Sequence, residues 1–170
     1  MAEKDKAEEN TELPLRLDQK GLALKSILPE ALSAFEPEIE TDFDIISLKI
    51  SPENIKPACL QLRDAERLSF DYLLLLCVVD YEEYLQVVYH LYSTSEKHIV
   101  VLKVDLSPDK PSIDSVTAVW PGANWYERES HDLFGVFFEN HPDLSPLLLY
   151  EGFEGFPGRR NFEMPEYKEW

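Results

Sequence analysis

The chain has 170 residues, 44% apolar and 12% aromatic, which is enough for one hydrophobic core and too apolar for global disorder. Its formal net charge of −17 excludes a surface built for nucleic acid or for direct adsorption to an anionic membrane. No apolar run approaches the about 18 residues of a spanning helix, and Met1–Asn10 lacks the apolar centre of a secretory signal. Cys59 and Cys77 stand far apart without a third thiol, so no iron–sulfur or zinc cluster can be assembled from them. Free thiols in a reducing, intracellular compartment are expected.

Residues 1–20 mix Glu, Lys and Asp with few apolar groups and are expected to form a flexible acidic tail. Gly21–Phe35 is partly amphipathic, with Pro29 near the start of a helix ending at about Phe35. Asp44–Ile50 reads as a first strand. Ser51 and Pro52 supply an N-cap and a first-turn proline for a helix reaching about Arg67, with Ile55, Cys59 and Leu62 inward. Phe70–Tyr81 is a continuous apolar run, the pattern of a central strand covered on both faces. Leu85–Tyr92 alternates with a period of two, and Ile99–Leu106 sets Val100, Leu102, Val104 and Leu106 opposite Lys103 and Asp105. A proline-marked loop over 107–112 leads to a short strand or helical turn at Ile113–Trp120. The expected fold is α+β: a single domain over 21–150 with a mostly antiparallel sheet of about four strands and helices on one face. An irregular C-terminal arm is expected over 151–170.

The chemistry concentrates between Trp120 and Phe162. Asn124 and Glu127 form a capping box and Gly135 a left-handed stop, predicting a helix of about three turns over Trp125–Phe134. Tyr126, Ser130, Leu133 and Phe134 share its inward face. Arg128 can pair with Asp132, and Glu127 with a charged His131. Val136–Phe138 is too apolar for a free loop, and Asn140–Asp143 turns the chain. The cluster Glu127, Glu129, His131, Asp132 and His141 invites metal or acid–base chemistry. Helix geometry weakens that idea, because Glu129 points away and Arg128 stands among the acids as a counter-ion. A free-standing metal-dependent hydrolase using His131, Asp132 and His141 is the alternative from another class. The sequence holds no G-x-S-x-G, C-x-x-C or glycine-rich phosphate loop.

Interface-type residues remain. Trp125, Tyr126, Leu133 and Phe134 are expected to fill the core. Phe153, Phe156, Pro157, Arg159, Arg160 and Phe162 have no periodicity and are expected to lie across a partner, with the guanidinium groups binding its carboxylates.

The motifs W-Y-E-R-E-x-H-D-L-F-G-V-F-F-x-x-H-P-D-L and L-L-L-Y-E-G-F-E-G-F-P-G-R-R-N-F resemble the C-type subunit of respiratory complex I, NADH:quinone oxidoreductase, and its counterparts in membrane-bound hydrogenases. Glu127, Arg128, Glu129, Asp132, Gly135, His141, Pro142 and Asp143 match the first signature, and Pro157, Arg159, Arg160 and Phe162 the second. The chain departs from the family at Asn140, where Gly is usual, and at Gly158 and Asn161 of the closing Pro-Leu-Arg-Lys-Asp-Phe. The resemblance implies a hydrophilic peripheral-arm subunit that is non-catalytic and binds no cofactor. Iron–sulfur clusters and flavin, or nickel–iron, would belong to partner subunits. It implies packing on subunits of the D and B type around the quinone site, or on the large and small subunits of a nickel–iron hydrogenase. It places the chain on the cytoplasmic face, held at the membrane only through partners.

Overall fold

The structure, a computed structural model, describes residues 17–163. Most of the expected acidic tail, 1–16, and the end of the arm, 164–170, lie outside the described residues. Helix α1 spans Gln19–Ala31, capped by Asp18, whose carboxylate accepts from Gly21 N at 2.7 Å. Pro29 therefore sits in the last turn of α1 and not near its start. It helps end the helix, because a proline cannot donate to the preceding turn. A single 3-10 turn over Ser33–Phe35 follows, and Glu36, at φ 46°, redirects the chain.

Strand β1, Glu38–Asp42, pairs antiparallel with β2, Ile45–Lys49. The sequence hid β1 because only Ile39 and Thr41 punctuate its acids. Helix α2, Ile55–Asp64, follows a 3-10 turn at Pro52–Asn54 and buries Ile55, Cys59 and Leu62 as expected. It stops short of Arg67 because Ala65 leaves the helix with extended backbone. Strands β3, Tyr72–Asp80, β4, Leu85–Tyr92, and β5, Ile99–Leu106, complete a sheet of order β1-β2-β5-β4-β3. The sheet has five strands and is mixed, since β2 runs parallel to β5 while the other pairs are antiparallel.

The most apolar strand is at an edge. The apolar run of β3, broken only by its last residue Asp80, predicts a central place, yet only Leu73, Leu76 and Val78 turn inward. A bulge between Leu73 and Leu75 shifts the register at Leu74. The core lies on one side of the sheet, where Leu24 and Leu28 of α1 and Cys59 and Leu62 of α2 meet Leu48, Val87, Tyr89 and Leu102. Beyond the sheet, β6, Ser112–Asp114, pairs in parallel with β7, Phe137–Glu139, and between them runs helix α3, Ala123–Phe134. Trp120 anchors the entry to α3 by donating Nε1–H to Phe70 O at 3.0 Å.

Candidate docking face

Helix α3 begins two residues earlier than its sequence predicts, with Gly122 and not Asn124 at the N-cap, and Asn124 inside the first turn. Gly135 ends it in the left-handed region at φ 70°, as predicted. The buried residues are Ala123, Glu127, Ser130 and Asp132; Tyr126, Leu133 and Phe134 are only half buried. Trp125, expected in the core, is 59% exposed.

Glu127 is buried completely. Its carboxylate accepts from Ser115 Oγ at 2.6 Å and Val116 N at 2.8 Å, so it ties α3 to the segment after β6. Burial pushes its carboxyl from 4.5 up to about 7, and the two donors offset only part of that rise. Its neighbour is His141 and not the predicted His131. His141 Nδ1 accepts from Asp143 N at 3.0 Å, which leaves the ring proton on Nε2, facing Glu127 Oε2 at 3.8 Å. That separation is too long for a hydrogen bond. His131 instead bonds Val136 O through Nδ1 at 2.9 Å.

Arg128 and Asp132 do not pair with each other. Each grips the segment after β7. Arg128 donates to Ser145 O at 3.0 Å and Pro146 O at 3.1 Å, and lies 5.4 Å from the centre of the Trp125 ring. One oxygen of Asp132 accepts from Leu147, Leu148 and Leu149 N at 2.7, 2.8 and 3.3 Å. Burial alone would raise the Asp132 carboxyl, but these three amides together outweigh it and hold the group below its usual value. The Asp143 carboxylate accepts from Ser145 N at 2.9 Å and holds the same loop, Pro142 lies on the surface, and Glu129 is exposed.

Residues 151–163 of the arm fold back on the domain, where the sequence leads one to expect them across a partner. Arg159 donates to Phe134 O at 2.7 Å and Pro108 O at 3.1 Å, capping the C-terminus of α3 where a cation suits the helix dipole. Gly158 N bonds Leu133 O at 2.8 Å, and a Cβ at Gly158 would stand 2.9 Å from that same oxygen. The glycine found where the resembled family has leucine thus lets the arm lie against α3. Asn140, where that family has glycine, keeps the left-handed backbone at φ 61° and donates to Asp114 Oδ1 at 2.7 Å. Phe156 covers Gly135 so closely that a Cβ there would be 2.5 Å from the ring. Phe153 meets Tyr150 edge-on and stacks on Phe162, and Pro157 is half buried. Arg160 remains on the surface, its backbone N on Asp80 at 2.9 Å and its guanidinium 3.4 Å from Glu82.

The result is a ledge in which Trp125, Leu148, Tyr150 and Phe156, each between 40% and 71% exposed, stand on a hydrogen-bonded frame. Ser115, Val116 and Pro108 belong to that frame, and nothing in the sequence marks them. They act mostly through main-chain groups, which leave no side-chain signal, and they lie 11 to 51 residues from their partners. Among the described residues, no three His, Cys, Asp or Glu side chains converge as metal ligands would. His131, Asp132 and His141, the trio of the hydrolase reading, each point to a different partner.

The family model for the 30 kDa subunit of respiratory-chain NADH dehydrogenase matches residues 48–168. The chain belongs to this family. One of the C-type subunits of the NADH-quinone oxidoreductase of Rhizobium meliloti is 43% identical over 128 residues, covering 74% of this chain and 70% of the relative. The C-type subunit of the same enzyme from Roseiflexus castenholzii is 41% identical over 141 residues, with 81% and 79% covered. The trypsin-resistant fragment (1–134) of Nqo5 superposes with a TM-score of 0.61 at 28% identity, over 71% of this chain and 98% of that one. A chain of the membrane-bound sulfane sulfur reductase, an archaeal respiratory membrane complex, shares the fold with a TM-score of 0.71 at 23% identity, over 84% and 86%. As a member of this family the chain is a subunit of a complex I-type oxidoreductase. None of its described helices is long and apolar enough to cross a membrane.

Proposed function

We propose that this subunit is a non-catalytic assembly piece of the peripheral arm of a complex I-type NADH:quinone oxidoreductase. It docks through the α3 ledge onto neighbours of the D and B type, which carry the quinone site and the redox cofactors. One observation carries the reading. Glu127, Arg128, Asp132 and Arg159 spend their polar atoms on this chain's own amides, carbonyls and hydroxyls, while the apolar groups they fix face solvent. Side chains arranged for acid–base or ligand work would be aimed outward from the frame; these are aimed into it. Exposed Trp, Tyr and Phe on a rigid support are the groups that dominate interface energies.

The curated relatives, named as NADH-quinone oxidoreductase subunits, support the quinone branch over the equivalent place in a nickel–iron hydrogenase. Attachment at the cytoplasmic face of the membrane then comes through partner subunits. The test is co-purification of D- and B-type subunits with the tagged full chain from its native membranes. Trp125→Ala with Leu148→Asp should lower recovery of those subunits at least about tenfold, because a central aromatic anchor is lost and a charge is buried. The melting temperature of the isolated double variant should stay unchanged, since both side chains are exposed. Full recovery of the partners with that variant would overturn the reading.

A further inference from the structure

The side of the sheet facing away from α1 and α2 is ordered in a way the fold itself does not require. The pairing register lines up its side chains in rows across the strands. One row is Tyr72, Tyr92 and Ile99. The next runs Leu75, His90, Val101, Ser47 and Glu40, from β3 across to β1. A third runs from Cys77 and Val88 to Lys103, Lys49 and Glu38. Each row that crosses the sheet is apolar at the β3 end and charged at the β1 end. Val88 and Val101 are buried by their neighbours on this side yet belong to no part of the domain core. Tyr72 is 56%, Leu75 39% and Ile99 37% exposed. A sheet face left to water alternates with polar groups; here β3 supplies apolar ones on both sides.

We propose that this outer sheet face is a second docking surface, distinct from the α3 ledge. Its occupant is a neighbouring subunit whose contact surface is apolar over β3 and β4 and basic over β1. The charge pattern selects that occupant. Glu38, Glu40, Asp42 and Asp105 outnumber Lys49 and Lys103 on this face, and both lysines are already engaged, with Asp105 at 2.8 Å and Asp42 at 3.0 Å. Among the described residues, Glu40 makes no salt bridge. Strands lie about 4.8 Å apart and β4 and β3 stand three and four places from β1, so a partner must offer its basic groups about 14–19 Å from its apolar patch.

A second copy of the chain fits poorly. Side by side in the same sense it would set acid on acid, and turned around it would set acid on the apolar rows. Residues 1–16 of this chain fit no better, since they carry Glu3, Asp5, Glu8, Glu9 and Glu12 against Lys4, Lys6 and Arg16. Two faces on one small domain make the subunit a bridge between neighbours.

The experiment uses the tagged full chain in cells that assemble the complex, with the photoreactive residue p-benzoylphenylalanine placed at Tyr92, at Ile99, or at Trp125 as the ledge control. Cross-links from positions 92 and 99 should map to a neighbouring subunit, within an apolar segment flanked by lysine or arginine. Glu38→Lys with Glu40→Lys should cut that yield about tenfold, with Glu38→Gln and Glu40→Gln in between. Cross-links to a second copy or to residues 1–16, none from either position in the assembled complex, or a yield indifferent to the charge reversal would each overturn the proposal. Loss of cross-links at Trp125 alone would sink the ledge and leave this face standing.

Discussion

Glu127 is a carboxylate withdrawn from water and held by two donors, and its energetics follow from the sign of its shift. Because its pKa rises from 4.5 to about 7 on folding, the folded chain binds the proton more readily than the unfolded one between those values. This group therefore subtracts stability fully above pH 7 and gives it back as the pH falls toward 4.5. Glu127→Gln keeps an acceptor for Val116 N and removes the charge. The variant should be about 1–3 kcal/mol more stable than the parent at pH 8, with the gap closing by pH 5, as read by denaturant unfolding at both values. A gap that widens on acidification would mean the charge is stabilising. Asp132 has the opposite sign: its pKa is lowered, so its contribution is present above the ordinary carboxylate value and lost as acid protonates it. Asp132→Ala orphans the amides of Leu147 to Leu149 and should cost about 2–3 kcal/mol. Hydrogen exchange at those three amides would report it directly. Sequence spacing suggests the same destabilisation through lost pairing with Arg128; the structure replaces that cause with the backbone loop.

The elements around α3 are locked together by contacts at its two ends. Gly135 and Arg159 work on one terminus: the glycine turns the chain, and the guanidinium satisfies the exposed carbonyl of Phe134 while holding Pro108. Arg159→Ala should lower stability by about 1–2 kcal/mol and open the arm to protease between Glu151 and Arg160. Arg160→Ala should leave the melting temperature unchanged, because its ion pair is exposed and long. Equal sensitivity of the two variants would show that the arm is not fastened through Arg159. At this scale the sequence is informative wherever periodicity or capping applies. α2, β4, β5 and the glycine stop of α3 are legible from it. β1 is not, because an edge strand of alternating acids lacks an apolar signature. The resting place of the arm is not legible either, because its anchors are hydrogen bonds from single residues to distant carbonyls, which no local pattern encodes.

On the scale of the whole molecule, a charge of −17 on 170 residues makes the fold self-repelling, so isolated chain should melt at higher temperature as salt rises from about 0.01 to 0.15 M. A fall in melting temperature over that range would mean that attractive pairs such as Lys49–Asp105 outweigh the repulsion. The same charge disfavours contact with nucleic acid or anionic lipid. The amino-acid sequence by itself determined the α+β class, the family through its two motifs, and the positions of most helices and strands, since these rest on local periodicity and on residue types at fixed spacing. Only the tertiary structure decided that β3 is an edge, that Trp125 faces outward, that Glu127 meets His141 and Ser115, and that Arg159 is spent on its own chain. Those outcomes depend on which segments come together across tens of residues, and burial and hydrogen-bond partners exist only once they have.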